Sequence, residues 1–301
     1  MTARPAVPAT GRRPYNCPPM SVPPPSPYPS TTAARAGRPP PPPGTVELLF
    51  LGSGTSAGVP MIGCECAVCT SPDPRDKRNR ASVVVRYGDA QVLVDATPEL
   101  RLQALAHGLK RIDAVVFTHA HADHIMGLDD LRRFNYVKGG PLDLFADART
   151  FETLAKCFHY AFREPAPDQK VYRPHLVHRE IAGPFEVEGV PWTPVELFHG
   201  DLPVLGFRVG RLAYCTDVSR IPEHSYRLLE DLDVLVLDAL QKHKHVTHFN
   251  LEEAIGEARK IGAKRTLFTH IAHGLPHAAT NAELPAGMEL AHDGMVVSAR
   301  L

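Results

Sequence analysis

The segment IDAVVFT, residues 112–118, is apolar on successive positions and runs directly into HAHADH, residues 119–124. A strand that is apolar on both faces has to be covered on both faces, so it belongs inside a layered fold with helices or a second sheet on either side. Its C-terminal tip then delivers His119, His121, Asp123 and His124 within six residues. Two imidazoles two residues apart can reach one ion, and the carboxylate and third imidazole beside them can point to a second. Strand-end loops are where such sites are usually built.

One motif does not fill two coordination shells, and other strand ends carry further ligand types. His199 follows PVELF, Asp217 ends RLAYCT and His270 ends RTLFT. Around them, short β-rich runs alternate with helical stretches. SVVVRYG and AQVLVDAT flank a Gly88-Asp89 turn and read as a hairpin, and a helix opens at Pro98 and ends near Gly108. ADHIMGLDDLRRF reads as one helix starting within the ligand loop. PLDLFA, WTPVELF, LGFRVGRLAYCTD, DVLVLDA and RTLFTH supply strands in the second half, with helices around residues 151–160 and 250–261. Two similar halves of this kind predict an α/β protein of two mixed sheets packed back to back with helices outside, an αββα sandwich spanning residues 45–301.

Residues 1–44 are different. They hold fifteen of the 30 prolines and have hardly any large apolar residues, so they are expected to form a disordered Pro-rich segment. Five of the 33 basic residues and none of the 33 acidic ones lie there, which leaves residues 45–301 with an excess of five acids. An acidic body is poorly suited to a nucleic-acid backbone, whose affinity comes from Lys and Arg, and a small substrate is expected instead. No run approaches 18 apolar residues and no secretory signal opens the chain, so a cytoplasmic protein without membrane contact is expected. The sequence leaves a homodimer open.

Of six cysteines, Cys64, Cys66 and Cys69 crowd into GCECAVC, in a segment punctuated by Pro60, Gly63 and Pro72. Loop thiols spaced C-x-C-x-x-C offer three thiolates to a tetrahedral zinc, which needs a fourth ligand from elsewhere. His273, three residues beyond His270, is the candidate.

The order H-x-H-x-D-H, H, D, H resembles the metallo-β-lactamase superfamily of binuclear hydrolases. That resemblance implies one metal on His119, His121 and His199, another on Asp123, His124 and His270, and Asp217 bridging them. It also implies that Asp95, at the end of VLVDAT, orients the ligand loop; read from the residues alone, Asp95 serves equally as the cap of the helix opening at Pro98. Mixed nitrogen and oxygen ligands suit two divalent ions, zinc or manganese. GSGTSAGVPMIGCECAVC together with THIAHG looks like the PhnP branch, typified by phosphodiesterases of phosphoribosyl cyclic phosphate, and implies a structural zinc on the three cysteines and His273. Two ions held together can share a hydroxide that attacks a phosphodiester. In HKHVTHFNLEEAI, His248 matches the histidine that related branches use as a general acid, with His245 as the second candidate. The expected activity is hydrolysis of a small cyclic or nucleotide-like phosphodiester. Endonuclease action on transfer RNA precursors, thioester or lactone hydrolysis, and a non-catalytic role in cofactor biosynthesis are the alternatives.

Overall fold

Alternate residues of the central strands divide between two cores. Leu48, Phe50, Val83, Val85, Val92 and Val94 join Trp192, Phe207, Tyr214, Val236 and Leu267 in one buried cluster. Their neighbours Leu49, Leu51, Val84 and Leu93 belong to a second cluster with Leu100, Ile125, Leu131 and Leu154. Leu235, Leu237 and Phe268 join a third with Ala254 and Ala258. Side chains on a strand alternate faces, so this division places the first cluster between two sheets and the other two beneath helices on the outside. It accounts for the unbroken apolar runs in the sequence: both faces of each central strand are buried.

The computed structural model describes residues 38–163 and 172–301. Its strands are β1 (Thr45–Gly52), β2 (Ser82–Tyr87), β3 (Ala90–Val94), β4 (Ala114–Val116), β5 (Leu142–Ala146), β6 (Leu176–Glu180), β7 (Phe185–Val187), β8 (Val190–His199), β9 (Leu202–Val209), β10 (Leu212–Cys215), β11 (Val234–Asp238), β12 (Arg265–Thr269), β13 (Met288–Leu290) and β14 (Val296–Arg300). They form two seven-stranded sheets, ordered β14-β1-β2-β3-β4-β5-β6 and β13-β12-β11-β10-β9-β8-β7. In the first, β14 to β3 pair antiparallel and β3 to β6 parallel. In the second, β7 to β10 pair antiparallel and β10 to β13 parallel. The halves therefore repeat one plan, and the αββα sandwich expected from the sequence is the fold. Two of the polar side chains that enter the inter-sheet core are paired there. Trp192 Nε1 donates to Tyr87 Oη at 3.1 Å, and Tyr87 Oη donates to the Val187 carbonyl at 2.8 Å.

Of the segment expected to be disordered, residues 1–37 lie outside the described residues. Residues 38–44 are tied to the domain: Arg86 donates to the Arg38 and Pro39 carbonyls, and Leu301 N donates to Gly44 O at 2.9 Å. No helix among the described residues is long and apolar enough to cross a membrane.

The single helix expected over ADHIMGLDDLRRF is instead three pieces, Ala122–Ile125, a 3-10 turn at Leu128–Asp130 and Leu131–Lys138. The break falls at Gly127. Its amide donates to Ala96 O at 2.8 Å, and Ala96 N donates to His124 O at 2.8 Å, so the chain after the ligand loop is pressed against the end of β3. A Cβ at Gly127 would sit 1.9 Å from Thr97 O, a backbone atom that cannot swing aside. Gly127→Ala is therefore expected to destabilise the protein by about 1–3 kcal/mol through overpacking, read as a lower urea midpoint. An unchanged midpoint would show that this contact does not hold the loop.

Candidate metal centre

The candidate ligands converge because both sheets present the same end. His119 and His121 follow β4, His199 closes β8, Asp217 follows β10 and His270 follows β12. A backbone bond from Leu205 N to Thr118 O, 3.1 Å long, stitches β9 of the second sheet to the ligand loop of the first. Three turns into the site use a backbone that most side chains avoid. Asp95, Asp217 and His270 sit at φ of 63°, 54° and 57°. Asp and His are among the residue types that tolerate the left-handed region best, and holding them there costs on the order of 1–3 kcal/mol each, which the surrounding packing has to over-determine.

Hydrogen bonds fix which ring nitrogen each imidazole presents. His124 Nδ1 lies 2.8 Å from Asp95 Oδ2, and a carboxylate only accepts, so Nδ1 carries the proton and Nε2 faces the cluster. Thr118 Oγ1 donates to the same Asp95 oxygen at 2.8 Å and therefore accepts from His119 Nδ1 at 3.0 Å. His199 Nδ1 donates to Thr247 O at 2.6 Å. Asp95 also accepts from Thr118 N at 2.9 Å, which makes it the brace of the whole loop. It does not cap the helix Leu100–Ala106, whose cap position is Glu99.

Two groups result, His119 with His121, His199 and Asp217, and Asp123 with His124, Asp217 and His270, the ligand atoms of each lying within 4.8 Å of one another. Asp217 belongs to both. One of its oxygens is 3.8 Å from His119 Nε2 and 3.4 Å from His270 Nε2, and the other is 3.3 Å from His124 Nε2. Yet His119 Nε2, His124 Nε2 and both nitrogens of His270 are buried without a hydrogen-bond partner among the described residues. Each such atom costs on the order of 1–3 kcal/mol, against a total stability of about 5–15 kcal/mol for an ordinary domain. Cations would satisfy the Nε2 atoms of all three rings at once, and the donor set suits divalent ions of the zinc or manganese kind.

The charges point the same way. Burial opposes ionisation of Asp217, but the His270 and His124 imidazoles hold its carboxyl well below the usual range. Burial likewise disfavours charge on His270, and Asp217 overcomes it, raising the imidazole to about 9. His124 is raised against its burial by Asp217 and Asp95. Without an ion, protons occupy His124 and His270.

His248 is buried beside this cluster, its ring 4.4 Å from that of His199 and 4.6 Å from that of His270. Its Nδ1 donates to Asp238 Oδ2 at 2.7 Å, leaving Nε2 to act. The same carboxylate oxygen accepts from Val218 N at 2.9 Å, so one group positions both His248 and the residue after Asp217. His245, the other candidate, lies further out, 5.3 Å from His248 ring to ring. Asp238 is a residue of the candidate site that the sequence reading missed. Its signal was available: an aspartate at the tip of an apolar strand, as at Asp95 and Asp217.

Cys64, Cys66 and Cys69 gather around His273, with Sγ to Nδ1 separations of 3.2, 3.4 and 3.5 Å. A tetrahedral zinc with bonds of about 2.3 Å to sulfur and about 2.0 Å to nitrogen calls for about 3.5 Å, so the residues present fit that ion. The Cys69 amide, donating to Cys66 Sγ, lowers the Cys66 thiol to about 6, where it is a thiolate at neutral pH. The segment joining the two clusters is braced by Arg78, which is fully buried and donates to Ala272 O at 3.1 Å and Leu275 O at 2.7 Å while pairing with Asp76 at 3.0 Å.

Residues 90–271 match the family described as the beta-lactamase superfamily domain. A crystal structure of a diphosphatase from the PhnP family is 45% identical, with a TM-score of 0.79, over 85% of this chain and 99% of that one. The chain belongs to the β-lactamase superfamily, in its PhnP branch. This PhnP-branch protein is also 29% identical to coenzyme PQQ synthesis protein B of Methylobacterium sp. (strain 4-46), over 84% of this chain and all of that one. It is 34% identical to an octanoyltransferase of Porphyromonas gingivalis over 83% of its own length, and spans about half the length of that relative.

Two outcomes are expected of this PhnP-branch chain. His121→Ala should lose metal from the histidine cluster and keep it in the cysteine loop, whereas Cys66→Ala should do the reverse; equal loss from both variants, by metal analysis, would contradict two separate compartments. Metal uptake should release protons at pH 7, because His124 and His270 must give theirs up, and affinity should rise with pH up to about 9. Calorimetry in buffers of different ionisation enthalpy reads the release, and no release would contradict the charge assignment.

Proposed function

We propose that this chain hydrolyses a phosphodiester-type bond in a small cyclic or nucleotide-like phosphate, with His119, His121, Asp123, His124, His199, Asp217 and His270 holding two divalent ions. His248 serves as general acid, and Cys64, Cys66, Cys69 and His273 hold a structural zinc. The observation that carries the reading is the position of His248: a buried imidazole, oriented by Asp238, set against the rings of two candidate ligands. A purely structural metal site has no use for it. The 45% identity to a PhnP-family diphosphatase supports the same reaction centre, phosphorus.

Divalent ions bound there supply Lewis acidity, bringing the pKa of water toward about 7 and offsetting charge on phosphoryl oxygens. The protein's part is to hold the imidazoles with Nε2 inward, through Asp95, Thr118 and Thr247, and to keep a proton available. Asp238 accepts from Nδ1 of His248, so the proton that a departing alkoxide takes comes from Nε2.

Bis(p-nitrophenyl) phosphate with metal-reconstituted protein is the direct assay. No turnover with the core ions bound would favour the non-catalytic reading that accompanies the likeness to coenzyme PQQ synthesis protein B. His248→Ala is expected to keep its metal and slow turnover about 10²–10⁴-fold on alkyl leaving groups, and much less on p-nitrophenolate, which departs without a proton. Equal slowing on both would remove His248 from the acid role.

A further inference from the structure

His119, His124 and His199 each have Nδ1 fixed by a hydrogen bond, to Thr118, Asp95 and Thr247 respectively. His270 is held differently, because neither of its ring nitrogens has a hydrogen-bond partner among the described residues. Its ring stacks on that of His248, 4.6 Å away, and otherwise follows its backbone, which turns at a φ of 57° directly after β12. Such a turn persists only where the chain around it is over-determined. Here the chain that follows supplies the restraint. Ile271 N donates to Ser53 O at 2.9 Å, Thr55 N donates to Ile271 O at 3.2 Å, and Ala272 N donates to Leu240 O at 2.8 Å. The next carbonyls are taken by one guanidinium: Arg78 Nη1 donates to Ala272 O at 3.1 Å, and Nη2 donates to Leu275 O at 2.7 Å and to Asp76 Oδ1 at 3.0 Å. The same Asp76 oxygen accepts from His277 N at 2.8 Å.

The backbone of Arg78 is engaged on its other side. It exchanges both bonds with Val59, at 2.9 and 2.7 Å, and so closes the base of the loop 60–77 that carries Cys64, Cys66 and Cys69. The Arg78 side chain is 0% exposed, and its Nε has no partner among the described residues. An apolar side chain of similar size would fill the space without that cost, but it could not grip two carbonyls at once. We propose that Arg78 is a positioning residue that places His270 and His273 together. One side chain then governs two metal positions, that of Asp123, His124 and His270 and that of the cysteine loop, and leaves the position of His119, His121 and His199 alone. This rests on the metal assignments proposed above. A lysine at residue 78 would keep a charge beside Asp76, yet it is a point donor that cannot span the carbonyls of Ala272 and Leu275. The segment holding His270 and His273 would relax, whereas His119, His121 and His199 are carried by the tips of β4 and β8.

The test is the occupancy of each position, read by anomalous scattering from crystals of the full-length protein and of Arg78→Lys soaked in a graded series of Zn²⁺ concentrations. A Co²⁺ titration in solution, whose thiolate-to-metal absorption reports the cysteine loop by itself, is measured alongside. Arg78→Lys is expected to need about 10- to 100-fold more metal at the Asp123, His124 and His270 position and at the cysteine loop. The His119, His121 and His199 position should fill as in the unmutated protein. Asp76→Asn loosens the guanidinium while keeping an acceptor for His277 N; it should show the same pattern more weakly, and it decides the matter if Arg78→Lys does not fold. Val83→Ala, a change in the inter-sheet core, reads the effect of lost stability alone and should fill all three positions normally. Equal weakening at all three positions, no weakening at the two expected ones, or the same pattern in Val83→Ala overturns the proposal. An unmutated protein that leaves the three positions empty would sink the metal assignments themselves, and the role of Arg78 with them.

Discussion

The costliest feature of this protein is a set of buried imidazole nitrogens that no group among the described residues satisfies. His119, His124 and His270 turn bare nitrogens toward Asp123 and Asp217, at distances too long for good hydrogen bonds, in a place almost closed to water. Imidazole and carboxylate without cations would make this end of the sandwich a liability of several kcal/mol. With cations those nitrogens gain partners, and the fold is arranged around that requirement. Both sheets bring strand tips to one edge, and three residues at those tips accept left-handed backbone to turn inward.

Rigidity comes from carboxylates that do not face the ions. Asp95 gathers the Thr118 amide, the Thr118 hydroxyl and His124 from the first half, while Asp238 gathers the Val218 amide and His248 from the second. The two halves share a strand plan, and each uses a buried aspartate at a strand tip to fix the neighbouring strand's loop. In the first half that fixed histidine is a candidate ligand; in the second it is the candidate acid.

Much of this was legible in the sequence, because ligand types at the ends of doubly apolar strands are a local signal. His119 to His124, His199, Asp217 and His270 were read that way, and the cysteine loop was read from its C-x-C-x-x-C spacing. What escaped was non-local. Arg78 lies in the charged stretch DPRDKRNR and reads as surface, yet it is buried because the carbonyls of Ala272 and Leu275, nearly two hundred residues away, surround it. Gly127 reads as a tolerable helix residue until Thr97 is brought against it. The short edge strands β6, β7 and β13 have too few residues, or too mixed a pattern, to show a period. Asp238 lies near the end of the apolar run DVLVLDA, but its bond to His248 depends on a loop path that spacing does not encode.

The central claim is that cations complete the histidine and aspartate cluster. Anomalous diffraction from crystals grown with zinc or manganese tests it most directly. The account predicts two peaks at the cluster, both beside Asp217, one reached by His119, His121 and His199 and the other by Asp123, His124 and His270. Metal found at the cysteine loop alone, with the cluster holding only protons and water under conditions of excess metal at pH 8, would contradict it.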